Sequence, residues 1–318
     1  MPNIWDKTIQ INEELVKKLL FNQFDICIND IELFGEGFDN SAYLINKEFV
    51  FRFPHRDFAK DCMENELLLL PYLVDKVSFQ ITNPIFIGNA TEYYPYSFAG
   101  YKLLKGQILT NYCNPHVSDI ESAITLGTWL KELHSIPISK ELCGKIKGNN
   151  SWRLNKDNRI QVLLNTVTKY EHHFIKGGND IKFLVSSIEN LSNLNFNVDP
   201  AKFCCLHGDL YSKHIIVDKA GIPFGLIDWG DTHIGHPAID LSVGFMIFDE
   251  SARESFFDSY GKIDDNTLNI AIFRSFCHAI VAYAYFCEIG ETNSILWTKA
   301  AIDNSIKAVT AYYNNSHF

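Results

Sequence analysis

The apolar positions of this chain follow two periods in turn. Residues 11 to 21 place Leu15 and Leu19 on one face of a short amphipathic helix, with Asn12 as its N-cap and acids in the first turn. Three β-like runs come next. Cys27 to Phe34 alternates loosely, Ala42 to Ile45 is apolar, and Phe49 to Phe53 is aromatic and β-branched, with Asn46-Lys47-Glu48 joining the last two as a hairpin turn. Residues 58 to 73 return to the helical period, with Met63, Leu67, Leu70 and Leu73 on one stripe. Pro84 to Gly88 and Phe98 to Leu104 predict two further strands. The pattern describes a β-rich amino-terminal lobe with one helix packed on it.

Past Gly106 the period is mainly helical. Ser118 to His134 predicts a capped helix with Asp119 and Glu121 in its first turn and Ile120, Ile124, Leu130 and Leu133 available for a core. Residues 155 to 192 predict mostly polar helices broken at Gly177-Gly178. Two short strands fall at 214 to 217 and 224 to 227, and helices resume from 250. No internal repeat, low-complexity tract or long linker interrupts this order. A boundary near 104 to 106 separates an N-terminal lobe, 1–104, from a mainly helical C-terminal lobe, 105–318. The class is α+β and bilobal, with a ligand cleft expected between the lobes.

A length of 318 residues suits two lobes, and 47% hydrophobic with 14% aromatic residues supplies a packed core. A net charge of −10 argues against nucleic acid or an anionic membrane as partner and is compatible with a cationic small molecule. The eight cysteines, Cys27, Cys62, Cys113, Cys143, Cys204, Cys205, Cys277 and Cys287, form no CxxC pair, and several sit inside apolar runs. Reduced cysteines in a cytoplasmic protein are the expectation. Met1 to Lys7 lacks the basic start and apolar run of a secretory signal. The longest uncharged apolar stretch, Ala279 to Cys287, is too short to span a bilayer. A cytoplasmic monomer acting on a small molecule is expected.

The densest chemistry lies between the two short strands. His207-Gly208-Asp209 is followed five residues later by His214, then by a β-branched strand, and Ile227-Asp228-Trp229-Gly230-Asp231 ends the next one. Moving a phosphoryl group from a nucleotide to an alcohol needs one carboxylate facing the hydroxyl and ligands for the magnesium that bridges the phosphates. Asp209 suits the first task; the alcohol's pKa lies far above neutrality, so the carboxylate orients it and takes its proton late. Asp228, at a strand end before a glycine, suits the second. The plain alternatives are an aspartate capping a turn and a turn-forming Asp-x-Gly. Magnesium prefers oxygen, so asparagine would be expected at 214. His214 can ligate as neutral imidazole, hydrogen-bond a metal-bound water, or simply order the loop.

The N-terminal lobe offers Gly35-Glu36-Gly37-Phe38-Asp39-Asn40-Ser41 between two strands. Gly35 and Gly37 let backbone N–H groups approach phosphates, and Asn40 and Ser41 add donors. Arg52, mid-strand between Phe51 and Phe53, can reach phosphates as a fixed cation, and Glu66 can pair with it across the sheet. A surface pair would contribute only ~0–1 kcal/mol. His207, His214, His233 and His236 with Asp209 and Asp228 raise the rival reading of a two-metal hydrolase. It finds no HxH or HExxH pattern and leaves the glycine loop and Arg52 unexplained.

Taken in order, these segments resemble the aminoglycoside phosphotransferase family, whose fold is protein-kinase-like. The resemblance runs from the glycine loop through Val50 to Pro54, Glu66 with Leu69-Leu70-Pro71, Tyr101-Lys102 to Gly106, Leu133-His134 and His207 to Leu210, to Ile227 through Asp240. It covers roughly residues 28 to 245 and is closest in motif detail to 2″-aminoglycoside and macrolide phosphotransferases. It implies an ATP- or GTP-dependent small-molecule kinase using Mg2+, with Asp209 as catalytic aspartate and Asp228 and His214 as metal ligands. It further implies Arg52 on the phosphates with Glu66 as its partner, a hinge of Lys102, Leu103 and Leu104 against the base, and Ile216 and Ile227 at the nucleotide. Asp240 falls at a position that braces the catalytic loop. Tyr211 stands where protein kinases carry a loop lysine, for which Lys213 is a substitute, and His236 replaces a common acid.

From Leu241 onward nine acids face five bases, which could attract an aminoglycoside and equally suits solvated helix faces. Phe and Tyr in the same region would suit a macrolide or another apolar alcohol. A metabolite-alcohol kinase, a nucleotide-binding pseudokinase weakened by His214, and the His/Asp hydrolase are the alternatives. Antibiotic resistance follows only on the first two acceptors.

Overall fold

A computed structural model of the chain describes residues 8–37, 39–112, 115, 119–147 and 150–315. Met1 to Lys7, Phe38 of the glycine loop, Cys113 and Ser118 lie outside the described residues. The chain divides into two compact units. The first takes Met1–Lys105, Lys140–Gly148 and Leu226–His233; the second takes Gly106–Ser139, Asn149–Gly225 and Ile234–Phe318.

The first unit is built on an antiparallel five-stranded sheet, ordered Ile31–Glu36, Asn40–Ile45, Phe49–Pro54, Phe98–Lys102, Pro84–Gly88. The helix Glu13–Gln23 starts at Asn12, whose side chain accepts from the N–H of Leu15, and it buries Val16, Leu19 and Leu20. They join Phe51, Phe53, Tyr94 and Phe98 in an aromatic core, with Phe53 and Phe98 stacked at 4.9 Å. The first strand begins four residues later than its apolar pattern predicts. The Asn46 side chain explains the shift: its Oδ1 accepts from the N–H of Asn29 and Asp30, which withdraws that stretch from the ladder. Asn46 and Lys47 carry φ of 54° and 56°, the twisted two-residue turn that matches a right-handed hairpin.

The helix Asp57–Leu73 buries Met63, Glu66, Leu69, Leu70 and Leu73, while Leu67 is half-buried. Its inward face is rotated from the expected stripe so that Glu66 points inward. The segment Lys140–Gly148 belongs here because Asn65 clamps the backbone of Lys147, donating to its carbonyl at 2.8 Å and accepting its N–H at 2.7 Å.

The second unit is mainly helical. Asp119 caps Ile120–His134 by accepting from the N–H of Glu121 and Ser122. The buried face of this helix is Ala123, Leu126, Trp129, Leu130 and Leu133; Ile120 and Ile124, expected in the core, are exposed. Gly127 sets the face. A Cβ there would stand 2.2 Å from the carbonyl oxygen of Phe256, so the helix Glu250–Tyr260 can approach only along that line. The stretch 155 to 192 resolves into Lys156–Lys169, Glu171–Lys176 and Ile181–Asn190, with Gly178 at φ 80° in the break. The strands Ile215–Val217 and Pro223–Leu226 fall within one residue of the expected 214–217 and 224–227, with His214 in a tight turn before the first and Ile227 just past the second. The helix Asp265–Ile289 is, by length and composition, long and apolar enough to cross a membrane. It packs instead as a core helix, with 72% of its most apolar window buried. The seven described cysteines are free thiols.

Candidate active site

In the first unit the site grows from a charged residue on a buried strand. Arg52 lies opposite Ala42 on one neighbouring strand and Ala99 on the other, small residues that leave room for its guanidinium. Nη1 donates to both oxygens of Glu66 at 2.9 Å, and Nη2 donates to Oδ1 of Asp228 at 2.5 Å. Glu66 is fully buried, so the weak surface pair anticipated above is an interior one. Burial opposes the charge of Arg52, but Asp228 and Glu66 outweigh it and raise its pKa. Burial pushes the Glu66 carboxyl up against the pull of Arg52. The guanidinium is a permanent cation aimed by one buried carboxylate and one exposed one.

Asp228 stands at φ 62°, ψ 66°, the left-handed region, and leads into a single turn over Trp229–Asp231. Gly230 follows because a Cβ there would lie 3.3 Å from Arg52 Nη2 and 3.6 Å from Asp228 Oδ1. The glycine loop contributes Gly37, whose N–H bonds the carbonyl of Asn40, and Ser41, which is buried beneath the hairpin. Gly35 has open space where a side chain would be, and the Asn40 Oδ1 is buried without a hydrogen bond among the described residues. Asp39 pairs with Arg56. Burial, with Asp231 and Asp228 nearby, lifts its carboxyl to about 6. Of the three expected hinge residues, Leu103 already donates its N–H to the carbonyl of Glu48 at 2.8 Å, which removes that donor from the set a base can use. Lys102 is exposed, Leu104 and Ile227 half-buried.

In the second unit the loop after Cys204–Leu206 is braced from below. Asp240, fully buried, accepts the N–H of His207 at Oδ2 and of Gly208 at Oδ1, both at 2.8 Å. His134 Nε2 lies 3.2 Å from Oδ2 and its Nδ1 3.0 Å from the Tyr260 hydroxyl. Burial alone would raise the Asp240 carboxyl; His134, His207 and the Gly208 N–H outweigh it and hold it below the usual range. Arg153 Nη1 donates to the Gly208 carbonyl at 3.0 Å, and Gly208 takes φ 87°. The Asp209 side chain on this braced loop is 24% exposed.

His214 donates from Nδ1 to the backbone carbonyl of Asp209 at 2.7 Å. A carbonyl only accepts, so Nδ1 carries a proton there. An imidazole nitrogen can ligate a divalent cation, and the exposed carboxylate of Asp228, in the first unit, is the kind of oxygen donor that magnesium favours. Ile216 is buried in its strand. Lys213, the expected substitute for a loop lysine, pairs its ammonium with Glu291 at 2.6 Å. The basic side chains beside Asp209 are ones the sequence reading missed. Arg274 Nη2 lies 3.6 Å and His278 Nδ1 3.5 Å from its Oδ1. Among the described residues, the His, Cys, Asp and Glu side chains that converge on one point are His172, His173 and Glu288, not the histidines of the hydrolase reading.

With this geometry in hand, the sequence matches the phosphotransferase enzyme family, APH, over residues 30–269. The chain belongs to that family. It is a phosphotransferase, with the mixed α+β, kinase-like fold of its solved relatives. The GDP and kanamycin complex of APH(2″)-IIIa is similar at a TM-score of 0.64 and 22% identity, covering 94% of this chain and 98% of that one. Spectinomycin phosphotransferase APH(9)-Ia with ADP and spectinomycin is similar at 0.65 and 13% identity, covering 95% and 98%. Macrolide 2′-phosphotransferase MphH from Brachybacterium faecium is similar at 0.58 and 16% identity, covering 92% and 98%. An uncharacterized protein of Bacillus subtilis, YcbJ, is 33% identical over 57 residues, a stretch that spans 18% of this chain and 19% of YcbJ.

Proposed function

We propose that this phosphotransferase moves the γ-phosphoryl group of ATP or GTP to a hydroxyl of a small molecule, with Mg2+. The observation that carries the reading is the setting of Asp209. A buried carboxylate, Asp240, fixes two consecutive backbone N–H groups of its loop, and the Asp209 side chain beside them stays partly exposed. Asp209 then orients the acceptor hydroxyl and takes its proton as the new P–O bond forms and the bond to the departing diphosphate breaks. Arg52, held by Glu66, binds nucleotide phosphates, with the glycine loop supplying backbone donors. Lys102 and Leu104 of the hinge, with Ile216 and Ile227, contact the base. Asp228 and His214 would hold Mg2+, which would offset the phosphate charge.

Kanamycin, spectinomycin and macrolides belong to the three solved relatives described above, at 22%, 13% and 16% identity to this chain. A cationic acceptor was suggested by the acids after Leu241. In the fold Asp249 and Asp264 cap helices, and Glu288, Glu291 and Asp303 pair with His173, Lys213 and Lys299. A nucleotide-consumption screen against charged and neutral alcohols, ATP and GTP in parallel, tests the reaction, with mass detection of the added phosphate. Asp209→Ala should abolish transfer while nucleotide still binds. Full turnover in that variant would remove the proposed base.

A further inference from the structure

The short helix Glu171–Lys176 is moored to the end of the long helix Asp265–Ile289 by Tyr283. The Tyr283 hydroxyl donates to the carbonyl of His173 at 3.1 Å, and its ring lies 5.0 Å from that of Phe174. Gly177 permits the approach, because a Cβ there would stand 1.9 Å from the same hydroxyl. Glu288 follows Tyr283 by little more than one helical turn. The mooring therefore brings His172 and His173 up to it.

His173 Nε2 lies 2.8 Å from Oε1 of Glu288. The ring of His172 lies 4.0 Å from that of His173, tilted by 38°, and takes no hydrogen bond among the described residues. One nitrogen from each histidine and one oxygen of Glu288 all lie within 4.8 Å of one another. A tetrahedral zinc ion holds such donors about 3.3 Å apart. Small rotations of His172 and Glu288, both exposed, would close the set. Cys287, the next residue along, is not among the converging groups.

The electrostatics of the helix end point the same way. Glu288 sits in the last turn of a 25-residue helix, and that turn carries no basic side chain. The backbone presents its negative end there, which disfavours a carboxylate and favours a cation. An ion held between Glu288 and the two rings would face both negative groups at once.

We propose that His172, His173 and Glu288 form a transition-metal site, with zinc the ion its donors suit. Two imidazoles and one carboxylate match zinc, cobalt or nickel, whereas magnesium and calcium favour oxygen throughout. Water completes the shell on the exposed side. The bound ion clasps the short helix to the long one, reinforcing the contact that Tyr283 makes. The inference does not rest on the reading of Asp209.

The probe is Zn2+ alone, added to the full chain and followed by calorimetry and thermal unfolding. The parent should bind one zinc ion about tenfold or more tighter than His172→Ala or Glu288→Gln binds any, and zinc should raise its unfolding midpoint more than theirs. His172 is exposed, so its loss opens no cavity. Glu288→Gln keeps an oxygen that accepts from His173 and removes the charge, which separates metal binding from a merely structural hydrogen bond. Saturating Mg2+ should leave the zinc affinity unchanged. Co2+ in place of zinc should give a visible absorption band that His172→Ala loses. Equal zinc affinity in the parent and either variant, displacement of zinc by Mg2+, or a cobalt band unchanged in His172→Ala would each overturn the inference.

Discussion

Nη2 of Arg52 and Oδ1 of Asp228 lie 2.5 Å apart across 176 positions of sequence. The contact ties the cation proposed to bind phosphates to the carboxylate proposed to bind their metal, and Glu66 anchors the cation from inside. Removing the anchor strands a buried charge. Glu66→Gln should cost roughly 3–5 kcal/mol, the range for breaking one partner of a buried pair. It should also weaken ADP binding, since Arg52 loses its aim. Thermal unfolding and ADP titration read the two effects, and parent-like values in both would refute the anchoring role.

Asp240 is expected to act through the loop it braces. Asp240→Asn replaces one acceptor oxygen by a donor, so either the His207 or the Gly208 N–H is left buried and unmet. Such a loss costs about 1–3 kcal/mol. Because the loop positions Asp209, kcat should fall more than KM rises. A variant that lowers stability alone would show Asp240 to be a structural residue only.

His236 is buried, its Nδ1 accepts the N–H of Ala238, and its Nε2 has no hydrogen bond among the described residues. Burial, with the charge of Lys202, lowers its pKa from 6.5 to about 4. The unfolded chain therefore takes a proton below 6.5 that the folded chain refuses until about 4. Stability should be full above 6.5 and decline as pH falls through that window, by up to about 3 kcal/mol from this group. Denaturant midpoints at about pH 7 and about pH 4.5 in parent and His236→Gln isolate the contribution, because the variant should lose that part of the slope.

His214→Asn replaces the proposed nitrogen ligand by the oxygen that magnesium favours, and its amide can still donate to the Asp209 carbonyl. Activity should survive within about tenfold, with preference shifting from Co2+ or Mn2+ toward Mg2+. His214→Ala removes both functions and should be far weaker. Identical metal profiles in parent and His214→Asn would exclude residue 214 from the metal site.

Local signals were the readable ones. Asn12 and Asp119 announced their helices, the Asn46 turn announced its hairpin, and Asp240 was placed on the loop it braces. The pairing of Arg52 with Glu66 was legible as well, but not its burial, which depends on the strand order that puts Ala42 and Ala99 beside Arg52. Ile120 and Ile124 misled because helical period alone does not say which face a partner will cover; Gly127 did. Arg274 and His278 looked like isolated polar positions in an apolar helix. Their relation to Asp209 spans more than sixty residues and exists only after packing. Their one-turn spacing was the signal available.

Asp228 holds its left-handed backbone without being a glycine, at a cost of about 1–2 kcal/mol. Its ion pair with Arg52 is half-exposed and returns only ~0–1 kcal/mol. Asp228→Gly should consequently melt no lower than the parent while being inert. Selecting variants of this enzyme by yield or heat tolerance would then enrich for silent molecules, and only a turnover assay would notice.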